Sequence, residues 1–485
     1  MERPPVAVNT PADRRWWILA VLGVAQLMVV LDSTIVNIAL PHAQASLGFS
    51  DGDRQWIVTA YSLAFGSLLL LGGRLADVFG RKRLFLIGVI GFAAASALGG
   101  AATGFAMLVT ARAVQGAFGA LLAPAALSLL MTTFTHPGER GKAFGIYGGI
   151  AGAGASVGLL LGGVLTQYLD WRWTMYVNVI FAILAAIGGL VLLAPHANEV
   201  RARIDKLGAV LAGASMFAIV YGFAHAATRS GTAGWTDGQT LGFLAAGVVL
   251  LVAFVMLERR ASYPLLPLRV VTDRNRGGAY LAMFLTSIGM FGVFLFVTYY
   301  LETTLGYSPV KTGLAFLPLT MAVIVVAAIA NIALIPRISP RILIPSGLLV
   351  AAAGMALVTR IGLHSSYGGT ILPPLMLVAI GMGLVFAPSM SLGTLGVAGD
   401  DAGVASATVN VSQQIGGSIG TALLNTIATS AAAGFVATHA TGAPTRLLLA
   451  QAAVHSYDMA FWVCSAIFAG AAVLVAAMLR SGVPD

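Results

Sequence analysis

Long apolar runs alternate along the chain with short segments that carry charges or are rich in proline and glycine. A helix of roughly 20 apolar residues crosses the hydrocarbon core of a bilayer. The runs therefore predict an all-α polytopic membrane protein with fourteen membrane-spanning helices. The predicted spans cover residues 16–40, 55–72, 84–103, 106–134, 143–166, 172–194, 207–227, 240–257, 277–301, 310–335, 342–363, 371–396, 403–428 and 457–479.

The composition supports this pattern. Hydrophobic residues make up 58% of the chain and charged residues only 9%, against roughly 25% charged in an ordinary soluble domain. So few charges do not cover the apolar surface of a 485-residue soluble fold, so the surface must face lipid. The single cysteine, Cys464, excludes an internal disulfide and a thiol-based metal or redox centre. We expect no metal and no cofactor.

The start of the chain allows a second interpretation, because Arg14 and Arg15 precede the first apolar run as in a signal peptide. Asp32 and Asn37 interrupt that run before the small-residue segment at 43–45. We therefore interpret the run as an uncleaved first helix.

Basic residues fix the predicted orientation. With the N-terminus in the cytoplasm, 20 of the 27 Lys and Arg residues fall on the cytoplasmic side and six on the outer side. Only Arg112 lies well inside a span. The positive-inside rule then predicts a multi-pass protein of the cytoplasmic (inner) membrane with both termini cytoplasmic. The net charge of +9 follows from topology and does not indicate nucleic-acid binding.

An internal repeat predicts the domain organisation. The motif G-x-x-x-A-P occurs at Gly119–Pro124 and again at Gly383–Pro388, in the fourth and twelfth spans. Small residues of the fifth span recur in the thirteenth at a similar offset. Chance is the alternative in a chain this rich in glycine and alanine. A true repeat divides the chain into a tail at 1–15, a six-helix bundle at 16–200, two inserted helices at 201–260, a second six-helix bundle at 261–480 and a tail at 481–485.

Three segments carry more specific motifs, in and around the first, second and fourth spans. They read Leu31-Asp32-Ser-Thr34-Ile-Val-Asn37, Gly73-Arg-Leu-Ala-Asp77-Val-Phe-Gly80-Arg81-Lys82-Arg83 and Arg112-Ala-Val-Gln115-Gly116. Together they resemble the signatures of the major facilitator superfamily, in its branch of fourteen-helix drug:proton antiporters. Two positions depart from that branch, since Leu159 and Ile180 stand where a proline is usual.

The resemblance implies the major facilitator fold and proton-coupled export of small amphipathic compounds, such as drugs, antibiotics or secondary metabolites, by alternating access. The expected partners are a small-molecule substrate, protons and the lipid bilayer. The proton gradient supplies the energy, and we expect the protein to act as a monomer. Two alternatives stay open: a carrier of another direction or cargo (an importer or a metabolite or lipid carrier), and a membrane enzyme. An enzyme would need clustered acids or histidines at one membrane face. The one D-x-D-like element, Asp51-Gly52-Asp53, lacks nearby partners and is explained by a polar turn, so we expect the protein not to be an enzyme.

Asp32 and Arg112 are the main candidates for proton coupling. A charge inside a span costs roughly 2.5–3.5 kcal/mol on insertion scales, so it persists where it is used. A direct ion pair between the two residues is compatible with the sequence. The alternatives are that Asp32 caps or is solvated at a helix end, and that Arg112 only cross-links helices. Glu302 is a further candidate, either as a titrating group, as an attractor of cationic substrates, or as an ordinary solvated acid.

The resemblance assigns gating at the cytoplasmic side to the loop after the second span. Asp77 and Arg81 are expected to form the clamp, within a segment that contains Gly73 and Gly80. The alternative is a topology marker only. In the fifth span, Gly154, Gly158, Gly162 and Gly163 predict a small-residue face for close helix packing. Candidate cavity residues are Gln26, Asn37, Tyr61, Gln115, Asn178, Met290, Phe294, Asn410, Gln413 and Gln414.

Overall fold

The computed structural model describes residues 12–49, 51–194, 205–228, 233–261, 264–398, 401–440 and 443–482. Two short helices, Ala233–Thr236 and Leu268–Thr272, accompany fourteen long ones in these ranges. The long helices are α1 Ala12–Leu47, α2 Asp51–Phe79, α3 Arg81–Gly100, α4 Phe105–Thr133, α5 Pro137–Tyr168, α6 Trp173–Leu192, α7 Lys206–Thr228, α8 Gly238–Glu258, α9 Arg274–Tyr299, α10 Pro309–Ile329, α11 Pro340–Val358, α12 Leu372–Gly393, α13 Ala402–His439 and α14 Arg446–Met478.

Each long helix corresponds to one predicted span, so the prediction of an all-α polytopic membrane protein is confirmed. Among the described residues, thirteen helices are long and apolar enough to cross a membrane. The exception is α5, where the apolar stretch of described residues is Val157–Tyr168. The side chains at 151–153 and 155–156 of this helix lie outside the description.

The connection between α13 and α14 corrects one sequence prediction. The predicted spans leave a loop over about 429–456, whereas α13 continues to His439 and α14 already begins at Arg446. The intervening sequence is rich in alanine, the best helix former, and its polar residues allow the helix ends to extend beyond the apolar core of a bilayer. The loop prediction is wrong because the apolar run marks only the part of a helix that lies within the membrane. The helix itself can continue beyond that part.

The helix contacts repeat with a displacement of eight helices. In the first half α1 packs on α5 and α6, and α4 packs on α2 and α3. In the second half α9 packs on α13 and α14, and α12 packs on α10 and α11. The inserted helices α7 and α8 pack on each other, and α7 also contacts α2 and α13. The exact boundaries at 200/201 and 260/261 stay predictions.

The two halves meet chiefly along two helix pairs, α2 with α13 and α5 with α10, and also where α5 contacts α12 and α4 contacts α13. We call the end of the bundle that holds the α2–α3 turn the base, and the opposite end the mouth. Glycines bring backbones together toward the base. A Cβ atom on Gly141 would lie 2.8 Å from the carbonyl oxygen of Asn331, and one on Gly148 would lie 2.7 Å from the Ala387 Cβ atom. These contacts close the base between the halves.

Candidate functional site

A buried polar network lies inside the first half. Arg112 Nη1 donates to Asp32 Oδ2 at 2.6 Å and to Gln115 Oε1 at 2.6 Å. Asp32 Oδ1 accepts from Gln115 Nε2 at 2.8 Å and from Asn178 Nδ2 at 2.7 Å. Ser96 Oγ accepts from both amides. Helices α1, α3, α4 and α6 thus each contribute to one cluster. The Asp32–Arg112 ion pair, which the sequence left open, is present.

This network satisfies both carboxylate oxygens of Asp32. Both carboxylate oxygens accept from donors, and the side chain has no exposed surface. Arg112 is only 1% exposed and makes a further, longer contact to the backbone oxygen of Ile57. A buried ion pair is stable only when such additional hydrogen bonds satisfy the two charges. Removing one partner would leave the other as an uncompensated buried charge.

Tyr61 covers one side of the network. The Arg112 Cζ atom lies 4.4 Å from the centre of the Tyr61 ring, within the range of a cation–π contact. Tyr61 itself is 4% exposed, and its hydroxyl has no hydrogen-bond partner among the described residues. Both Tyr61 and Arg112 line the central cavity, whereas Asp32 does not. These two side chains therefore form the boundary between the network and the cavity.

The cavity lies between the two halves and has a volume of about 980 Å³. Helices α1, α2, α4 and α5 line it on one side, and α9, α12 and α13 on the other. His42, Gln167 and Tyr299 are exposed lining residues near the helix ends at the mouth. The cavity is therefore accessible from the mouth while the base is closed.

The structure places most of the predicted cavity residues in this wall. Gln115 and Asn178 differ, because they belong to the network around Asp32 and do not line the cavity. The side chain of Asn37 lies outside the described part of the structure. The predicted residues in the wall are Gln26, Tyr61, Met290, Phe294, Asn410, Gln413 and Gln414.

Glu302 also lines the cavity, but on the opposite side from the network. It lies in a π-helical turn, Tyr300–Thr304, which continues α9 at the mouth. The structure therefore separates this acid from Asp32 and Arg112, with which it was grouped as a candidate for proton coupling.

Two of the predicted gating residues, Gly73 and Asp77, meet the second half at the base. Asp77 Oδ1 accepts a hydrogen bond from the backbone N–H of Gly403 at 3.1 Å and lies 3.5 Å from an Arg81 Nη atom. Gly80 has φ of 94°, a left-handed conformation that glycine adopts without strain. This glycine forms the sharp turn that places Arg81 beside Asp77. Gly73 lies against the α13 backbone.

The glycines of α5 pack on α1, as the small-residue pattern predicts. A Cβ atom on Gly154 would lie 2.6 Å from Val30 Cγ1, and one on Gly162 would lie 2.9 Å from Ile35 Cγ1. At Gly158 the same atom would lie 2.0 Å from Thr34 Oγ1. Gly163 instead lines the cavity.

Sequence reasoning missed several residues of the site. Ser96 completes the network, and Tyr147 donates a hydrogen bond to Gln26 Oε1 at 2.8 Å. Phe65 and Phe386 add aromatic surface to the cavity. Ser96 stands in an alanine-rich run, and the aromatic residues resemble many others that face lipid. No local signal in the sequence distinguishes them. In the described part, no group of three or more His, Cys, Asp or Glu side chains is arranged to hold a metal ion.

A cavity between two repeated membrane halves, accessible at one end and closed at the other, defines the class of alternating-access carriers. The sequence of residues 22–421 matches the family described as Major Facilitator Superfamily, and the chain belongs to that superfamily. This confirms the resemblance seen in the motifs.

Several curated relatives are similar over most of the chain. Puromycin resistance protein pur8 of Streptomyces alboniger is 49% identical, covering 98% of this chain and 93% of the relative. Cephamycin export protein CmcT of Amycolatopsis lactamdurans is 38% identical, covering 84% of each chain. The Tetracenomycin C resistance and export protein of Streptomyces glaucescens is 38% identical, covering 88% of this chain and 79% of the relative.

Among solved structures, the human organic anion transporter MFSD10 (TETRAN) superposes with a TM-score of 0.61. The alignment covers 96% of this chain and 100% of that one, at 15% sequence identity. This likeness shows the shared fold.

Proposed function

We propose that this protein exports small amphipathic compounds in exchange for protons, across the cytoplasmic membrane, by alternating access. The observation that carries the proposal is the Asp32–Arg112 pair, which is buried directly behind the wall of the central cavity. The names of the three relatives refer to puromycin, cephamycin and tetracenomycin C, and two of them state export. Antibiotics made as natural products are therefore the cargo we propose.

The proton step follows from the network. A proton that binds Asp32 neutralises the carboxylate and converts one of its oxygens from an acceptor to a donor. Arg112 then loses its counter-ion, and its charge is left at the cavity wall beneath Tyr61. Occupancy of the cavity and occupancy of the proton site thereby influence each other through Arg112, which is the linkage that an antiporter requires.

The conformational step takes place at the base. The contacts of Asp77 and Gly73 with α13 hold the base closed in the present state. Rocking of the two halves separates these contacts and closes the mouth, so that the cavity opens to the other side. We place both termini and the base in the cytoplasm, because the positive-inside rule favours that orientation. The present state then faces outward, and release of cargo occurs from it.

The experiment is proton release from the purified protein in liposomes, on addition of puromycin or tetracenomycin C. The wild type should release protons in response to cargo. Asp32→Asn should not, because the asparagine side chain has no carboxyl group that binds and releases a proton. Asp170→Asn is the matched control, since Asp170 is an exposed acid at the mouth outside the cavity wall. Equal coupling in Asp32→Asn and the wild type would refute the proton site. Uptake against a gradient in the opposite direction would favour an importer.

A further inference from the structure

We propose that each half of the protein binds one anionic phospholipid at the base, on a pair of basic side chains. Arg14 and Lys82 form the first-half cluster, and Arg274 and Arg341 form the second-half cluster. The inference goes beyond the proposed export function, because it concerns a lipid partner at the surface of the bundle and neither the cargo nor the proton.

The first-half cluster is built around the C-terminus of α6. Arg14 of α1 donates to the backbone oxygen of Leu192 through Nε at 3.2 Å and through Nη2 at 3.1 Å. Lys82 of α3 donates to the backbone oxygen of Leu190 at 3.0 Å and also to that of Leu193. The last turn of α6 therefore holds both cations in place.

The second-half cluster has the same construction around the C-terminus of α14. Arg274 of α9 donates to the backbone oxygens of Ala477 at 2.9 Å and Met478 at 3.2 Å. Arg341 of α11 donates to that of Ala476 at 3.0 Å. Helices α9, α11 and α14 are the counterparts of α1, α3 and α6 under the displacement of eight helices. The two clusters are therefore a feature of each repeated half.

The helix ends offset only part of the positive charge. The four cations lie in the first turns of α1, α3, α9 and α11, where the positive end of the helix dipole adds to their charge. The C-terminus that they share carries the equivalent of roughly half a negative charge, so each cluster keeps an excess of roughly one and a half positive charges.

Two acidic side chains close to these clusters have other partners. Glu139 pairs with Arg15 at 2.7 Å, one position along the chain from the first-half cluster. Asp273 accepts the backbone N–H groups of Asn275 and Arg276 at the start of α9. Within the described ranges, no cluster residue forms an ion pair with a carboxylate. Each cluster is therefore a pair of cations without a protein counter-ion in that part of the chain.

The arginines keep N–H groups for a ligand. The Nη1 groups of Arg14 and Arg274 and both Nη groups of Arg341 make no hydrogen bond to any described residue. Charge-assisted hydrogen bonds from a guanidinium group to a phosphate are strong. The backbone oxygens already restrict the rotamers of these side chains, so binding costs less conformational entropy.

Exposed apolar side chains identify the phosphate as that of a lipid. Leu190 and Val191 are exposed on α6 beside the first-half cluster, and Val473 and Leu474 are exposed on α14 beside the second. Such surfaces take acyl chains, from which a soluble anion gains nothing. Basic pockets between membrane helices on the cytoplasmic side are suited to anionic head groups. A phospholipid, with its phosphate at the cations and its chains on the apolar side chains, fits both features.

The test is native mass spectrometry of the full-length protein. The probe is palmitoyl-oleoyl phosphatidylglycerol, and phosphatidylcholine with the same acyl chains is the zwitterionic comparison. The wild type should retain two molecules of phosphatidylglycerol, with an affinity about ten-fold higher than for phosphatidylcholine, because the cations attract the net negative charge. Equal retention of the two lipids by the wild type would overturn the proposal without any variant.

Paired substitutions assign each molecule to one cluster. Arg274→Gln with Arg341→Gln should remove one phosphatidylglycerol, and Arg14→Gln with Lys82→Gln should remove the other. Arg274→Lys with Arg341→Lys keeps both charges and should retain two molecules. Two molecules on either glutamine pair, or one on the lysine pair, would contradict sites that depend on these charges.

The matched control is Arg360→Gln with Arg446→Gln, which removes two exposed arginines at the mouth. It should retain both molecules, and a loss as large as in the cluster variants would overturn the assignment. Glycerol 1-phosphate separates a lipid from a soluble anion, because it carries a phosphate without acyl chains. In excess it should leave phosphatidylglycerol bound, and displacement would reject the lipid as occupant. These measurements use no cargo and no proton gradient, so their outcome is independent of the export proposal.

Discussion

Gly73 and Gly403 bring α2 and α13 into direct backbone contact at the base. A Cβ atom on Gly73 would lie 2.5 Å from the Gly403 carbonyl oxygen, and one on Gly403 would lie 2.2 Å from the Gly73 carbonyl oxygen. The same Gly403 donates its N–H to Asp77. At this point of the base, the close approach of α2 and α13 depends on the absence of two side chains and is accompanied by one charge-assisted hydrogen bond. In the proposed gate, this contact is broken when the two halves rock.

Substitution Gly73→Ala should open the base. The added methyl group cannot fit against the α13 backbone, so the equilibrium shifts toward the state in which α2 and α13 are apart. The reporter is Ser406→Cys, because Ser406 is fully buried on α13 beside Met131 of α4. We expect its rate of maleimide labelling to rise about ten-fold, which corresponds to a shift of about 1.4 kcal/mol.

The background for that measurement is Cys464→Ser, which removes the single native cysteine. The control substitution is Gly470→Ala, where a Cβ atom would meet no atom within 4 Å. Labelling that rises equally in the control, or fails to rise in Gly73→Ala, contradicts a gate at this contact.

Substitutions of Asp32 and Arg112 should have strongly non-additive effects on the stability of the protein. Arg112→Met leaves Asp32 buried without its counter-ion, and removal of one partner of a buried pair costs about 3–5 kcal/mol. Adding Asp32→Asn to Arg112→Met removes the orphaned charge and should recover much of that loss. The measurement is thermal unfolding in detergent of the wild type, both single variants and the double variant. Additive effects of the two substitutions would show that the pair is not an energetic unit.

Two buried tyrosines offer a matched comparison of hydroxyl groups. Among the described residues, the Tyr61 hydroxyl has no hydrogen-bond partner, whereas the Tyr147 hydroxyl donates to Gln26. Tyr147→Phe should lower the unfolding free energy by about 1 kcal/mol, because a buried hydrogen bond is lost. Tyr61→Phe should leave the unfolding midpoint unchanged or raise it slightly. A larger loss for Tyr61→Phe than for Tyr147→Phe would indicate that the Tyr61 hydroxyl has a partner.

Close packing of α5 on α1 predicts a severe effect of Gly158→Ala. The new methyl group would lie 2.0 Å from Thr34 Oγ1, so either the side chain or the helix must move. Overpacking of this kind typically costs about 1–3 kcal/mol. Adding Thr34→Ala removes the hydroxyl and should restore part of the thermal unfolding midpoint.

Gly434→Ala serves as its control, because Gly434 is an exposed position of α13 with no atom within 4 Å of an added Cβ. Alanine favours a helix by about 1 kcal/mol over glycine, so this variant should be neutral or more stable. A midpoint for Gly158→Ala at or above that of the wild type would contradict the packing seen here.

The sequence by itself determined the helices, the repeat and the Asp32, Arg112 and Asp77 candidates. Within lipid a backbone must satisfy its own hydrogen bonds, so an apolar run of sufficient length can only be a helix. A charged residue inside such a run is costly in lipid, so it can be recognised as a functional candidate without any knowledge of the fold.

Only the tertiary structure decided which polar residues meet. Asp32 and Arg112 are 80 positions apart, and Asp77 reaches Gly403 across 326 positions. The tertiary structure also shows that Gln115 and Asn178, which we expected in the cavity wall, belong to the network around Asp32. Ser96 is a further member of that network. A helix in lipid is apolar on both its outer and its inner faces, so hydrophobic periodicity does not tell which side faces the cavity. That choice depends on the packing of neighbouring helices, which local sequence does not encode.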